Sequence, residues 1–207
     1  MLHALSEKIA VFLFNNNDKY PIDVYVYGIE LTLSSLAGML VVLFMGLISG
    51  FLIESIIFMI SLSIIRIYSG GYHARSYLRC NLVLIISYVL VLAYYKYHLN
   101  NFIEQTYLIA SLLFVFLIIT LIIFAPVRSE SKSISKRGSF KLKLISIVLS
   151  CIEFLIFILF FGVLGFNQVL VILPTVMVVI ISILAEIILQ KRRNFSEKLK
   201  TEVKENS

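Results

Sequence analysis

The stretch GIELTLSSLAGMLVVLFMGLISGFLIESIIFMISLSII, residues 28–65, is one apolar run that only Glu30 and Glu54 interrupt. About 20 residues of helix cross a bilayer core of about 30 Å. A single straight helix over the whole run would therefore exceed the membrane thickness by roughly a factor of two, at about 1.5 Å per residue. We predict two membrane helices that are joined by a turn near Gly46–Gly50.

The composition of the whole chain agrees with this interpretation. The chain has 207 residues, of which 60% are hydrophobic and 14% are charged, and its mean hydropathy is +0.98. Soluble domains are about half apolar and about a quarter charged. Four further apolar runs follow, at about 81–99, 106–125, 144–163 and 168–189. We predict an all-α polytopic membrane protein with about six transmembrane helices.

Two prolines lie in or near these apolar runs. Pro126 directly follows the run 106–125, and it is expected to end that helix because proline cannot continue a helical hydrogen-bond ladder. Pro174 lies inside the last run and is expected to kink it.

The N-terminal segment has a different pattern. Apolar side chains recur three to four residues apart, at Leu2, Leu5, Ile9 and Phe12. This spacing predicts an amphipathic helix, which either lies on the membrane surface or packs on the rest of the protein. The short apolar stretch Ile9–Phe14 follows no strongly basic segment, so we do not expect a secretory signal peptide.

We predict one integral membrane domain over residues 1–207. Its parts are an amphipathic N-terminal segment (1–27), a transmembrane core (28–189) and a basic cytoplasmic tail (190–207).

Charge predicts the orientation of these helices. Lys and Arg collect in cytoplasmic loops. Of the 18 Lys and Arg residues, only Lys96 lies outside four segments that six crossings would place on one side. Those segments are the N-terminal segment, the loops 66–80 and 126–143, and the tail. We therefore expect both termini and the loop 66–80 in the cytoplasm.

The net charge of +6 follows from this bias and favours contact with anionic membrane lipid. The sequence contains no folded basic module, so we expect no nucleic-acid partner. Two cysteines cannot form a disulfide framework. Cys80 lies in a reducing compartment and should be a free thiol, and Cys151 is expected to be a buried apolar filler.

The loop YSGGYHARSYLRC, residues 68–80, gathers groups that are rare elsewhere in the chain. The reactive form of cysteine is the thiolate, which nearby positive charge or a histidine partner favours. His73 can act as a base for Cys80. Positive potential comes from Arg66, Arg75 and Arg79.

A catalytic pair needs a particular backbone here. On one straight helix, the Cα atoms of His73 and Cys80 would be about 10.5 Å apart, whereas proton transfer requires a contact of about 3 Å. A continuous helix from 66 to 95 would therefore oppose the pairing. Gly70-Gly71 permits a break, because glycine readily adopts positive φ. We expect the next helix to start near Tyr72–Arg75.

Structural roles for the same residues stay open. The histidine and cysteine can be incidental, the glycines can form a turn or a close helix contact, and the arginines can be topological anchors. Asn81 is a candidate to orient His73, since the loop contains no carboxylate.

The sequence lacks the residues that other common catalytic and binding sites require. The sequence has no HExxH, GxxxxGK[ST] or GxSxG motif. Asp18 and Asp23 both precede the first crossing, which excludes a membrane aspartyl pair. A zinc site requires three or four ligands, so we predict neither a metal nor a cofactor.

Glu54, Glu153 and Glu186 lie within apolar runs, where ionisable residues are functional candidates. We expect Glu54 near the outer end of its helix and Glu186 to be solvated or ion-paired near the interface. Glu153 lies deeper, and we predict that it is structural or protonated.

The loop residues resemble a known family. Arg66, Ser69-Gly70-Gly71, His73-Ala74-Arg75-Ser76 and Cys80 are similar to the signature of the AgrB (accessory gene regulator B) family, and so is Phe124-Ala125-Pro126-Val127. The following stretch, residues 128–132, only approximates the family's asparagine-lysine-proline pattern.

This resemblance implies a bacterial cell-membrane cysteine endopeptidase that processes a quorum-sensing, AgrD-like propeptide. Cys80 would be the nucleophile and His73 its base, and Arg66, Gly70 and Gly71 would support them. Apart from the resemblance, we infer that backbone N–H groups near Gly70-Gly71 would stabilise the oxyanion. A basic loop would contact the substrate through Arg128, Lys132, Lys136 and Arg137.

The implied reaction forms a Cys80 thioester, releases the C-terminal tail and closes a thiolactone or lactone ring. A rival interpretation is a small six-helix transporter or exporter without peptidase activity, in which Glu54 and Glu153 would matter more than Cys80. A non-enzymatic scaffold is a third interpretation. The expected partners are the propeptide and membrane lipid, and a homodimer stays open.

Overall fold

The computed structural model describes residues 2–14, 21–70, 77–100, 105–127 and 136–205, and throughout these ranges the regular structure is helical. The helices are α1 (Leu2–Phe14), α2 (Ile22–Ser49), α3 (Leu52–Ser69), α4 (Tyr77–Asn100), α5 (Thr106–Phe124), α6 (Lys136–Phe157) and α7 (Ile172–Glu205). α6 continues as a π-helix (Ile158–Val163), and a 3₁₀ helix (Asn167–Val171) precedes α7.

Six helices in the described ranges are long and apolar enough to cross a membrane, and they correspond to the six predicted crossings. The all-α polytopic membrane fold is therefore confirmed. Large apolar side chains point outward along these helices, whereas Glu54, Glu153 and Glu186 are buried. This arrangement suits lipid as the surrounding solvent, because a carboxyl exposed to hydrocarbon is costly.

The predicted turn between the first two crossings is present. α2 ends at Ser49, and the next residue, Gly50, has a φ of 76°. The N–H of Gly50 donates to Leu47 O at 3.3 Å, and the N–H of Phe51 donates to Gly46 O at 2.8 Å. These two bonds form a Schellman motif, which satisfies carbonyls at a helix C-terminus and normally places glycine at this position.

The N-terminal end of α2 differs from the predicted start of the apolar run. The helix begins at Ile22, directly after Pro21, whose φ of −53° suits a helix start. The N–H of Val24 donates to Pro21 O at 3.0 Å. Residues 22–27 are thus helical although they lie outside the apolar run, because the chain can adopt the first turns of a helix before it enters hydrocarbon.

α1 packs against α2, which is one of the two placements that the sequence left open. Ser6 and Ala10 have no exposed surface, whereas Phe12 is 87% exposed. One face of α1 therefore contacts protein, and the opposite face leaves large apolar groups available to lipid.

The kink expected at Pro174 stays a prediction. α7 begins at Ile172, so Pro174 lies in its first turn. The N–H groups of the first turn have no partner within the helix, so a proline there removes no helical hydrogen bond.

The chain divides into two compact units. The first contains α1, α2 and the part of α4 up to Tyr88; the second contains α3, the rest of α4 and α5 to α7. Within the second unit, α5 packs against α6 and α7. The single membrane domain over 1–207 stays a prediction.

Candidate active site

The first glycine of the motif, Gly70, directly follows the last residue of α3. The N–H of Gly70 donates to Arg66 O at 3.1 Å and completes the last turn. Gly70 then has a φ of 73°, a left-handed conformation that residues with a Cβ seldom adopt. A continuous helix from 66 to 95 is therefore excluded.

Gly70 also lies against a distant part of the chain. The N–H of Val127 donates to Ser69 O at 2.9 Å. A Cβ on Gly70 would lie 2.7 Å from Val127 O. The two stretches that carry the family resemblance, 66–80 and 124–127, thus meet where α3 and α5 end.

Cys80 lies in the first turn of α4 and is partly exposed. The described part of α4 begins at Tyr77, and the predicted helix start near Tyr72–Arg75 lies outside the described residues. Gly71 and His73 lie outside the described residues, so the distance between the His73 ring and the Cys80 sulfur is not described. The Cys-His pair stays a prediction.

The other predicted site residues lie in both described and undescribed segments. Arg66 is in the last turn of α3, and its Nε is buried. Arg128 and Lys132 lie outside the described residues. Lys136 and Arg137 occupy the first turn of α6, although the positions of their side chains are not described.

Asn81 uses its amide for helix packing. Its Nδ2 donates to Ser34 O at 3.2 Å and to Ser34 Oγ at 3.3 Å. This contact joins α4 to α2, so it gives no support to the predicted role of Asn81 in orienting His73.

Comparison with known families decides the affiliation. The family model described as AgrB, Accessory gene regulator B, matches residues 6–192. The chain belongs to the AgrB family. Membership supports a role in the agr quorum-sensing system, with an AgrD-like propeptide as partner and the membrane as location.

Two proteins named for their likeness to AgrB are similar to this family member. One, from Clostridium perfringens (strain 13 / Type A), is 28% identical over 164 residues, covering 74% of this chain and 75% of its own length. The other, from Clostridium perfringens (strain SM101 / Type A), is 31% identical over 175 residues, covering 80% of this chain and 79% of its own length. No solved structure matches the chain.

Both cysteines of this AgrB family member are free thiols. The prediction that Cys151 is buried was wrong, since its side chain is exposed on α6. An apolar run in a membrane protein indicates contact with either lipid or protein, and cysteine suits both.

The membrane carboxylates have identifiable partners. Glu186 pairs with Arg193 at 2.7 Å, which confirms the expected ion pair. Glu54, in the first turn of α3, accepts a hydrogen bond from the Tyr95 hydroxyl at 3.0 Å. Both carboxyl groups thus have structural contacts that satisfy them.

Glu153 differs from the other two carboxylates. Its Oε1 accepts a hydrogen bond from Ser61, and its Oε2 is buried without a hydrogen-bond partner among the described residues. The two side chains line a cavity of about 330 Å³ whose other walls are apolar, formed by residues such as Ile57, Ile156 and Phe166. A volume of this size lies at the lower end of ligand-binding pockets.

One polar cluster near Cys80 was missed in the sequence. Glu30 accepts a hydrogen bond from the Tyr77 hydroxyl at 2.9 Å and contacts His3 Nδ1 at 2.6 Å. The available signal was Glu30 itself, a carboxylate within an apolar run. Its partners could not be found from spacing because they lie on two other helices.

Proposed function

We propose that this AgrB family member is a membrane-embedded cysteine endopeptidase that removes the C-terminal tail of an AgrD-like propeptide and promotes its cyclisation. The main support is the left-handed Gly70 that ends α3, because it removes the straight helix that would hold His73 and Cys80 apart. Family membership and the partly exposed Cys80 thiol support the same activity.

In the proposed reaction, His73 accepts the thiol proton of Cys80, and the thiolate attacks the carbonyl carbon of the scissile peptide bond. The C–N bond breaks, and the tail leaves as an amine that takes the proton from His73. A substrate thiol or hydroxyl then loses its proton to His73 and attacks the new thioester. The ring closes, and the released Cys80 thiolate recovers the proton.

The energetics of this scheme do not require ATP. Formation of the Cys80 thioester from a peptide bond is uphill, because a thioester is less stable to hydrolysis than an amide, so departure of the released tail must drive this step. Exchange of that thioester for a substrate thiolactone is close to balanced because one thioester replaces another. Confinement of the enzyme and an amphipathic propeptide to one membrane raises their effective concentration.

The basic loop offers a place for the tail of the substrate. Ser69 binds Val127, so the end of α3 lies beside the start of the loop 126–143. We propose that Arg128, Lys132, Lys136 and Arg137 attract an acidic propeptide tail. We further propose that both termini and the Cys80 segment face the cytoplasm, as the distribution of Lys and Arg predicts.

The test is co-expression with an AgrD-like propeptide, followed by mass spectrometry of the peptide. We expect a product that lacks the C-terminal tail and is lighter by one water than the linear fragment. Retention of the full-length propeptide with the wild-type chain would refute the peptidase. A tail-free linear acid would support cleavage and refute cyclisation.

The transporter alternative depends on the Glu153 cavity rather than on Cys80. We expect Glu153→Gln to leave propeptide cleavage near the wild-type level, because glutamine keeps the acceptor for Ser61 and adds no charge. Cleavage can be measured by the same mass spectrometry, with membrane-fraction protein levels as the control. A loss of cleavage as severe as that of a Cys80 variant would place Glu153 in the reaction.

A further inference from the structure

One carboxylate joins three helices next to the Cys80 segment. Glu30 on α2 accepts a hydrogen bond from Tyr77, the first residue of α4, at 2.9 Å. Its other oxygen lies 2.6 Å from His3 Nδ1 on α1. The Glu30 side chain is only 13% exposed, whereas that of His3 is 75% exposed. The Tyr77 contact is therefore the better shielded of the two, and water weakens the His3 contact more.

The same helix pair is joined again one turn further along. Asn81 binds Ser34, and a Cβ on Gly38 would lie 2.8 Å from Asn81 Oδ1. Residues four apart share a helix face, which applies to Glu30 and Ser34 on α2 and to Tyr77 and Asn81 on α4. We call these four residues the α2–α4 polar seam.

Cys80 lies between the two α4 members of this seam, three residues after Tyr77 and one before Asn81. The first turn of a helix lacks part of its backbone hydrogen bonds, and helix ends open more readily than their centres. A side-chain contact in that turn therefore has a large influence on where Cys80 lies. Tyr77 supplies such a contact because its hydroxyl reaches across to α2.

We propose that Glu30 is a positioning residue that holds the first turn of α4 against α2 through Tyr77, and that this contact sets the depth and orientation of Cys80. The consequence for catalysis rests on the proposed peptidase function; the placement of the thiol does not. Glu30 touches neither Cys80 nor substrate in this scheme, and acts through the backbone of the first turn.

The thiol itself reports on this contact. In full-length, detergent-solubilised protein carrying Cys151→Ala, the rate of alkylation by a water-soluble maleimide measures access to Cys80. We expect Tyr77→Phe and Glu30→Ala each to speed alkylation about five- to tenfold, because loss of one hydrogen bond to a charged group frays the turn. We expect propeptide cleavage to slow by a similar factor.

A conservative substitution at Glu30 distinguishes loss of the hydrogen bond to Tyr77 from general destabilisation of the protein. Glu30→Gln keeps an oxygen that can accept from Tyr77, so its alkylation rate should stay within about twofold of wild type. The Tyr77→Phe/Glu30→Ala double variant should be no faster than the faster single variant, since both remove the same hydrogen bond. Additive acceleration in the double variant would overturn the proposal.

The chain offers a matched control at the opposite end of α4. Tyr95 donates to Glu54 at 3.0 Å, which is the same kind of tyrosine–glutamate bond far along the helix from Cys80. Tyr95→Phe should leave alkylation of Cys80 unchanged. Equal acceleration by Tyr95→Phe, or no acceleration by Tyr77→Phe, would overturn the positioning role.

The two proposals fail in different ways. If the wild-type chain processes no propeptide but Tyr77→Phe still accelerates alkylation, the positioning of Cys80 stands and the peptidase is lost. If the wild-type chain cleaves the propeptide and alkylation is unaffected by Tyr77→Phe and Glu30→Ala, the peptidase stands and the positioning role is lost.

Discussion

Replacement of Cys80 by alanine will abolish removal of the propeptide tail. The proposed reaction makes its first bond to the Cys80 sulfur, and loss of a nucleophile lowers turnover by at least about 10³-fold. Mass spectrometry of the co-expressed propeptide should show only the uncleaved chain. The wild-type protein should also form an acyl-enzyme that hydroxylamine releases, and Cys80→Ala should form none.

The second cysteine supplies the control. Cys151 is exposed on α6, within an apolar stretch, so Cys151→Ala should cleave the propeptide like the wild type. His73→Ala should lower cleavage about 10²- to 10⁴-fold, which is the usual contribution of a general base. Normal cleavage by Cys80→Ala, or loss of cleavage by Cys151→Ala, would assign the chemistry to another group.

The membrane fold was predictable because its signals are local or compositional. The length of the run 28–65 required a turn, and Gly50 supplies the left-handed residue at that turn. Five apolar runs, the first long enough for two helices, predicted six crossings, and the described ranges contain six helices that can span a membrane. These features follow from the thickness of a bilayer and from backbone sterics, and neither depends on which helices pack together.

The contacts around the candidate site were less predictable because they join distant segments. The sequence showed Glu30 only as a carboxylate that interrupts the run 28–65, and its contacts with Tyr77 and His3 depend on how α1, α2 and α4 pack. Within an apolar run, the sequence also does not distinguish a side chain that faces lipid from one that is buried in protein. Lipid and protein accept the same side chains, which is why Cys151 was predicted to be buried although it is exposed.

Gly70 has one property that the sequence predicted and one that it did not. The sequence indicated that Gly70-Gly71 could break the helix, and Gly70 does adopt positive φ. It could not indicate that Gly70 also lies against Val127, since 57 residues separate them along the chain (127 − 70). A residue with a Cβ at position 70 would therefore be disfavoured by packing as well as by backbone conformation.

Gly70→Ala should therefore be much more damaging than a substitution at a glycine that needs only its backbone conformation. The left-handed conformation costs about 1–2 kcal/mol with a Cβ. The new Cβ would also lie 2.7 Å from Val127 O, a backbone atom that cannot rotate away, and overpacking adds about 1–3 kcal/mol. We expect a marked fall in the midpoint of thermal unfolding in detergent, together with loss of propeptide cleavage.

Gly50→Ala separates the two contributions. Gly50 has a φ of 76°, close to the 73° of Gly70, but a Cβ there would meet nothing within 4 Å. It should lose only the conformational part, so the difference between the two variants measures the contact with Val127. Equal unfolding midpoints would mean that α3 and α5 do not meet at Gly70. A larger loss at Gly70 that also removes cleavage would tie the junction of the two motif stretches to the reaction, because Gly50 lies at the turn between α2 and α3, away from that junction in the sequence.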